Sequence, residues 1–268
     1  MMKMQLKYHL FIPAILLLSF ASCQKIISID TNNAAPQLVI EGNLTDIYGD
    51  QVVHISKTVP FNATNNYPAV SGATVVITDS LGIKTPFTEE SPGYYHNHDF
   101  VGGYGKTYTL TVTTGGKVYT ASSTMPFPVP LDSVSSTSSQ FDKSNPYTIV
   151  VNYQDPPGIA NQYKFDLYIN SVPVQTIFTN NDSFSDGRYV HEQLFQDGTD
   201  IVTGDTAKVE MECIDKNIYQ YWFSLSQLQI NGPGGGITPS NPPSNFNNGA
   251  LGYFSAHTSS IKIGIVHP

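Results

Sequence analysis

Thr107-Tyr108-Thr109-Leu110-Thr111-Val112-Thr113-Thr114-Gly115-Gly116-Lys117-Val118-Tyr119-Thr120-Ala121-Ser122-Ser123 is the stretch that decides the fold class. Tyr108, Leu110 and Val112 point to one face and Thr107, Thr109, Thr111 and Thr113 to the other, the period of two that marks a half-buried strand. Gly115-Gly116 supplies a two-residue turn into Val118–Ser123, so the run reads as a β-hairpin. Upstream, 37–45, 51–59, 72–79, 83–87 and 94–97 are short β-prone runs. They are punctuated by Tyr48-Gly49-Asp50, Leu81-Gly82 and Ser91-Pro92-Gly93. Regularly spaced short strands of this kind predict a sandwich of immunoglobulin or transthyretin type over 37–124.

Met125-Pro126-Phe127-Pro128-Val129-Pro130 follows, and three prolines cannot donate ladder hydrogen bonds, so 125–130 reads as a stiff connector. A second β domain is expected over 131–268. Tyr163, Phe165, Leu167 and Ile169 alternate with Gln162, Lys164, Asp166 and Asn170, and Ala207, Val209, Met211 and Cys213 alternate with Thr206, Lys208, Glu210 and Glu212. Cys213 thus falls on an apolar face and reads as a small core hydrophobe. Asp215 has the character of an N-cap, and Ile218, Tyr221, Trp222, Leu225 and Leu228 follow at helical spacing, so one amphipathic helix is predicted near 215–230. Asn231-Gly232-Pro233 ends it, a long Gly, Pro and Asn loop runs to Asn248, and 251–255 and 261–266 return to strand. The fold class is mainly β, as two sandwich-like domains with one helix.

The N-terminus places the protein. Lys3 and Lys7 precede an apolar run from Leu10 to Phe20, and Ala21-Ser22 lead into Cys23. The run is too short for a membrane span, which takes about 20 apolar residues, and its plan is that of a lipoprotein signal peptide over 1–22. Cys23 would be lipidated and begin the mature chain, with 23–36 as tether, although Phe20 stands where such signals usually have Leu. Acyl chains contribute about 0.8 kcal/mol per buried CH₂, so this anchor needs no spanning helix. Without 1–22 the chain keeps 11 basic against 21 acidic residues, which argues against a nucleic-acid partner. Lipidation of Cys23 would leave Cys213 alone, so no disulfide framework is expected.

Several stretches occur together in a fixed order: Leu38-Val39-Ile40-Glu41-Gly42, Ser71-Gly72-Ala73-Thr74-Val75, Tyr108-Thr109-Leu110-Thr111-Val112, Ser123-Thr124-Met125-Pro126, Val129-Pro130-Leu131-Asp132-Ser133 and Asn247-Asn248-Gly249-Ala250-Leu251-Gly252-Tyr253-Phe254. Over about 37–256 the chain resembles the outer-membrane lipoproteins called domain-of-unknown-function 4249. The resemblance implies a Gram-negative outer-membrane lipoprotein, commonly encoded beside a TonB-dependent receptor, and it brings no catalytic residues. Gln24-Lys25-Ile26-Ile27 contains no acid, which leaves the membrane face open.

No catalytic constellation stands out. His96, His98 and Asp99 place two imidazoles on one strand face, a spacing that suits zinc or copper only if a third ligand converges; a polar strand edge is the expected reading, with no metal and no cofactor. Glu89 and Glu90 point to opposite faces of a strand, which does not suit a paired-carboxylate site. Asp197, Asp200 and Asp205 around Gly198 and Gly204 read as turn formers. Aromatic residues are the better lead: Tyr94, Tyr95, Phe100 and Tyr104 crowd a Gly-rich stretch and would offer a protein or glycan contact surface. The 232–248 loop is a second candidate, since structureless loops beyond about 12–15 residues are commonly functional or disordered.

The expectation is a non-enzymatic lipoprotein of the outer membrane, accessory to a TonB-dependent receptor in binding or uptake of an extracellular nutrient. The alternative is a self-standing cell-surface module for glycan, peptide or metal chelate. Converging Ser, His and acid residues would instead point to a hydrolase.

Overall fold

The structure is a computed structural model that describes residues 35–60, 63–138, 147–196, 198–230 and 241–267. The expected signal peptide, Cys23, Asp197 and residues 231–240 of the long loop lie outside the described residues. The fold is mainly β, with sandwich-like packing and one α-helix among the described residues.

The first half carries β1 (Leu38–Thr45), β2 (Gly49–Lys57), β3 (Thr74–Asp79), β4 (Lys84–Ser91), β5 (Tyr94–Phe100), β6 (Thr107–Thr114) and β7 (Lys117–Thr124). They lie in the order β1-β2-β5-β4-β3-β6-β7. β4 changes partners midway: Lys84 to Phe87 pair with β3, whereas Thr88 to Ser91 pair with β5 through an irregularity after Glu89. Such a break re-aims a strand. Ile40, Leu44, Val53, Ile55, Val75, Ile77, Leu110 and Val112, drawn from four of these strands, are buried in one core. Gly115 and Gly116 both adopt positive φ, as the tight β6–β7 turn requires.

Beyond the prolines come β8 (Leu131–Ser138), β9 (Tyr147–Gln154), β10 (Gln162–Ile169), β11 (Val172–Pro173), β12 (Phe178–Asn181), β13 (Tyr189–Leu194) and β14 (Thr206–Cys213). β13, β9 and β8 form a separate three-stranded sheet, while β10, β11, β12 and β14 extend the large one. Cys213 is buried in the second core, where its Sγ accepts the Val129 N–H at 3.3 Å. Helix α1 (Lys216–Ile230) begins at Asp215, whose Oδ1 accepts from Asn217 N at 2.8 Å and Ile218 N at 3.1 Å. Its Oδ2 accepts from Ser123 Oγ and Thr124 N, which ties the cap to the end of β7.

The last strand, β15 (Leu251–Ile265), corrects two expectations. It is one strand of 15 residues, not two short ones. Residues 252–258 are all buried, so burial there shows none of the in-out alternation that marks a half-covered strand. Up to His257 it runs parallel to β1, and from Thr258 it runs antiparallel to β14. The connector therefore separates two hydrophobic cores, with Met125 in the first and Val129 in the second, but not two independent domains. Phe246, Ala250, Phe254 and Ala256 return to the first core, and Ala35–Pro268 is one compact unit.

The described part of the long loop is not free. Asn245 Nδ2 donates to Ser122 O and Phe254 O, and its Oδ1 accepts from Phe254 N. Asn247 N donates to Thr120 O and its Oδ1 accepts the Thr120 N–H, while Asn248 Nδ2 donates to Val118 O. The segment thus satisfies the outer edge of β7, which would otherwise present unpaired backbone groups.

Candidate functional site

The alternation of β10 and β14 puts Lys164, Asp166, Glu210 and Glu212 on the polar faces of their strands, where solvent exposure is the simple expectation. Helix α1 packs over β10, β12 and β15 and changes that. Lys164 is 7% exposed and Glu212 is 9% exposed. Lys164 Nζ lies 2.5 Å from Asp166 Oδ2 and 3.1 Å from Glu212 Oε1, and 5.0 Å from the Trp222 ring centroid. The register opposes Lys164 to Glu212 directly, a cross-strand charge complement that is the one sequence signal for this site.

Burial alone would lower the Lys164 pKa, but Glu212 and Asp166 outweigh it and hold the amine above its ordinary value. Burial pushes the Asp166 carboxyl up against the pull of Lys164, because Glu212 competes for the same ammonium. Burial, reinforced by the Lys164 charge, brings His257 down to about 4. Groups displaced in this way cluster at functional sites more often than elsewhere. They line a cavity of about 360 Å³ together with Asn43, Trp222 and Tyr253. Tyr253 packs on Tyr221 and Trp222 with ring centroids 5.0 and 5.1 Å apart.

A short strap, 174–178, separates this cavity from a groove of about 680 Å³ whose walls include Phe195, Phe223 and Glu192. Gln229 of α1 pins the strap from both sides: its Oε1 accepts from Ile177 N at 3.0 Å and its Nε2 donates to Gln175 O at 2.9 Å. The cleft on both sides of the strap offers charge, aromatic faces and apolar wall, the usual make-up of a ligand site.

A serine, a histidine and an acid do meet here. Ser255 Oγ is 2.9 Å from His257 Nδ1, and His257 Nε2 is 3.8 Å from Glu212 Oε1. The arrangement is not that of a nucleophilic triad. Ser255 is 1% exposed, Glu212 is committed to Lys164, and 3.8 Å is too long for the orienting hydrogen bond. An imidazole brought down to about 4 is also a weak base at neutral pH.

The aromatic patch expected from sequence does not assemble. Tyr95 is 1% exposed; its hydroxyl donates to Val70 O at 3.0 Å and accepts from Ala73 N at 2.9 Å, so it is a core residue. Phe100 packs edge-on against Tyr108 at the margin of the same core. Tyr104 is exposed beside Phe127, and Tyr94 is exposed on the outer face of β5, where it stacks on His54 at 4.3 Å. Successive residues of a strand point to opposite faces, which separates Tyr94 from Tyr95.

His96 and His98 share that outer face with Tyr94. Asp50, at the irregular β2–β5 pairing, and Glu90 of β4 converge on them. Asp99 accepts from the Tyr48 hydroxyl instead. Glu89 points the other way and accepts from Gly72 N and Gly93 N; these N–H groups, the Gly72 bond foremost, hold its carboxyl below the ordinary range. Asp155, Asp182 and Asp186 form a second cluster, in which each carboxylate accepts a backbone N–H: from Gly187, Asn161 and Gly158. Asp205 closes a turn by accepting from Val202 N.

The described chain is thus a mainly-β protein with a capped helix laid over a buried ionic cleft, and none of its described helices is long and apolar enough to cross a membrane. It belongs to the family described as Domain of unknown function (DUF4249), matched over residues 24–263. No curated protein matches it.

Proposed function

We propose that this protein is a non-catalytic, lipid-anchored binding protein of the outer membrane that serves a TonB-dependent receptor in the capture of an extracellular nutrient. The observation that carries the binding role is the divided cleft around Lys164, with its aromatic and charged walls. The buried Ser255 favours recognition over hydrolysis there. The tether rests on the Lys3-to-Cys23 pattern, and the receptor partnership on the family resemblance. A lipid anchor confines the protein beside its partner and raises effective concentration, so modest contacts suffice.

The test is affinity isolation of a C-terminally tagged copy from gently solubilised outer membranes after brief crosslinking. Near-stoichiometric recovery of a TonB-dependent receptor is the expected result, and Cys23→Ala should release the protein from the membrane. Recovery of the protein alone, with Cys23→Ala still abolishing membrane residence, would overturn the partnership and leave a self-standing module for glycan, peptide or metal chelate.

A further inference from the structure

The cluster on the outer face of β2, β4 and β5 lies apart from the Lys164 cleft and has no part in the function proposed above. His96 Nδ1 stands 3.0 and 3.1 Å from the two carboxylate oxygens of Asp50. His98 Nδ1 stands 3.1 Å from Asp50 Oδ1, so one oxygen faces two imidazole nitrogens. The rings are nearly parallel, with centroids 5.7 Å apart. On the far side of His98, Nε2 is 2.7 Å from Glu90 Oε1.

That second contact orients the ring. Glu90 takes the Nε2 proton of His98, which in the neutral imidazole leaves the Nδ1 lone pair directed at a carboxylate oxygen. Such a facing pair calls for a positive charge between the two atoms, either a second ring proton or a bound cation. A carboxylate on the outer nitrogen of a metal-bound histidine is the common way of orienting the ring and raising its basicity. Tetrahedral zinc with bonds of about 2.0–2.1 Å sets its ligand atoms about 3.3 Å apart, close to the spacing here. Among the described residues, the ion pairs of Asp50 and Glu90 are with histidine alone, so no lysine or arginine already neutralises them.

We propose that His96 Nδ1, His98 Nδ1 and the Asp50 carboxylate form a surface site for a divalent transition-metal ion of the zinc class, oriented by Glu90 and open at its remaining position. Imidazole nitrogen with one carboxylate suits zinc and copper(II), whereas calcium and magnesium take oxygen ligands. Copper(II) binds the tighter of the two, as the general order of divalent affinities requires. The ligands come from two paired strands, β2 and β5, and Glu90 reaches them from β4, so strand pairing sets their spacing. His96 is the inner ligand and His98 the exposed one.

The test uses the full chain in detergent, purified without a polyhistidine tag and stripped with chelator. Zinc chloride is titrated in competition with a chromophoric chelator, and copper(II) is examined separately by electron paramagnetic resonance. One equivalent of zinc with a micromolar or tighter dissociation constant is expected, and a copper spectrum carrying two nitrogen couplings. His96→Gln or His98→Gln should weaken zinc binding by about 100-fold or more and remove one nitrogen coupling, and Glu90→Gln should weaken it by about 10- to 100-fold. His54→Gln, on the same face outside the cluster, should change nothing. All four side chains are at least partly exposed, so unaltered circular dichroism is expected of each variant. Absence of saturable binding up to about 100 μM zinc would overturn the site, since three convergent ligands with an oriented ring should exceed that affinity. Undiminished binding by His98→Gln would overturn it equally, by locating the ion elsewhere.

Discussion

The first half of the molecule, built on β1 to β7, packs an apolar core and leaves its imidazole–carboxylate pairs on the outer face, whereas the second half holds Lys164, Glu212 and His257 inside. Histidine and carboxylate occur in both places, and their surroundings decide what they do. On the outer face, His54 meets Glu41 at 3.1 Å with both side chains partly in water, where such a pair contributes little. Under α1, removing one member of the ion cluster would leave a buried charge without a counter-ion. The two halves are joined through β15, whose first part is paired to β1 and whose second part is paired to β14.

The most drastic way to break the comparison is to separate the halves. Gly252 has φ of +88°, and a Cβ there would lie 2.1 Å from Ile40 O. Gly252→Ala should therefore cost more than about 4 kcal/mol and leave little soluble protein, because backbone must move in both strands. Soluble expression with an unchanged unfolding midpoint would show that β1 and β15 are not paired as described.

The contrast between buried and exposed charge is sharpened by a matched pair of variants followed in denaturant. Lys164→Met should destabilise by about 3–5 kcal/mol, since it leaves Glu212 and Asp166 facing each other without the ammonium. His54→Gln, which breaks the Glu41 pair on the outer face, should stay within about 1 kcal/mol of the parent. Equal effects would mean that the helix does not shield the cleft from water.

The smaller effect is a pH dependence confined to the second half. His257 falls to about 4 in the folded chain, mainly through burial. Between that value and the ordinary 6.5 of an unfolded histidine, only the unfolded chain takes up the proton. Stability should therefore fall as pH is lowered from 6.5 to 4 and should not change above 6.5 on this account, a loss of about 3 kcal/mol. Lys164, Glu212 and Ser255 surround the ring, and none removes this sign. His257→Gln should flatten the slope in that window, and an unchanged slope would show that His257 is protonated when folded.

Much of the strand content was legible because one face of β6, β7, β10 or β14 is apolar and the other polar, and Asp215 announced the helix by its capping oxygen. β9 escaped because Thr148 to Tyr153 are buried without alternation, and β15 was split for the same reason. Tyr95 and Tyr94 read alike as contact aromatics beside a Gly-rich stretch, yet the pleat sends one to the core and the other to the surface. Of the surface cluster, His96 and His98 were visible at i, i+2, whereas Asp50 and Glu90 lie on other strands and no spacing marks them.

The sequence by itself determined the periodicities, the turns, the capped helix and the acidic balance, since these depend on neighbours within a few residues. Only the tertiary structure decided that β15 belongs to both cores, that α1 turns the polar face of β10 into a buried ionic cleft, and that Asp50 and Glu90 meet two histidines. Those outcomes rest on pairings between residues far apart in the chain, and a sheet's register and cover are set by which distant strand or helix docks on it.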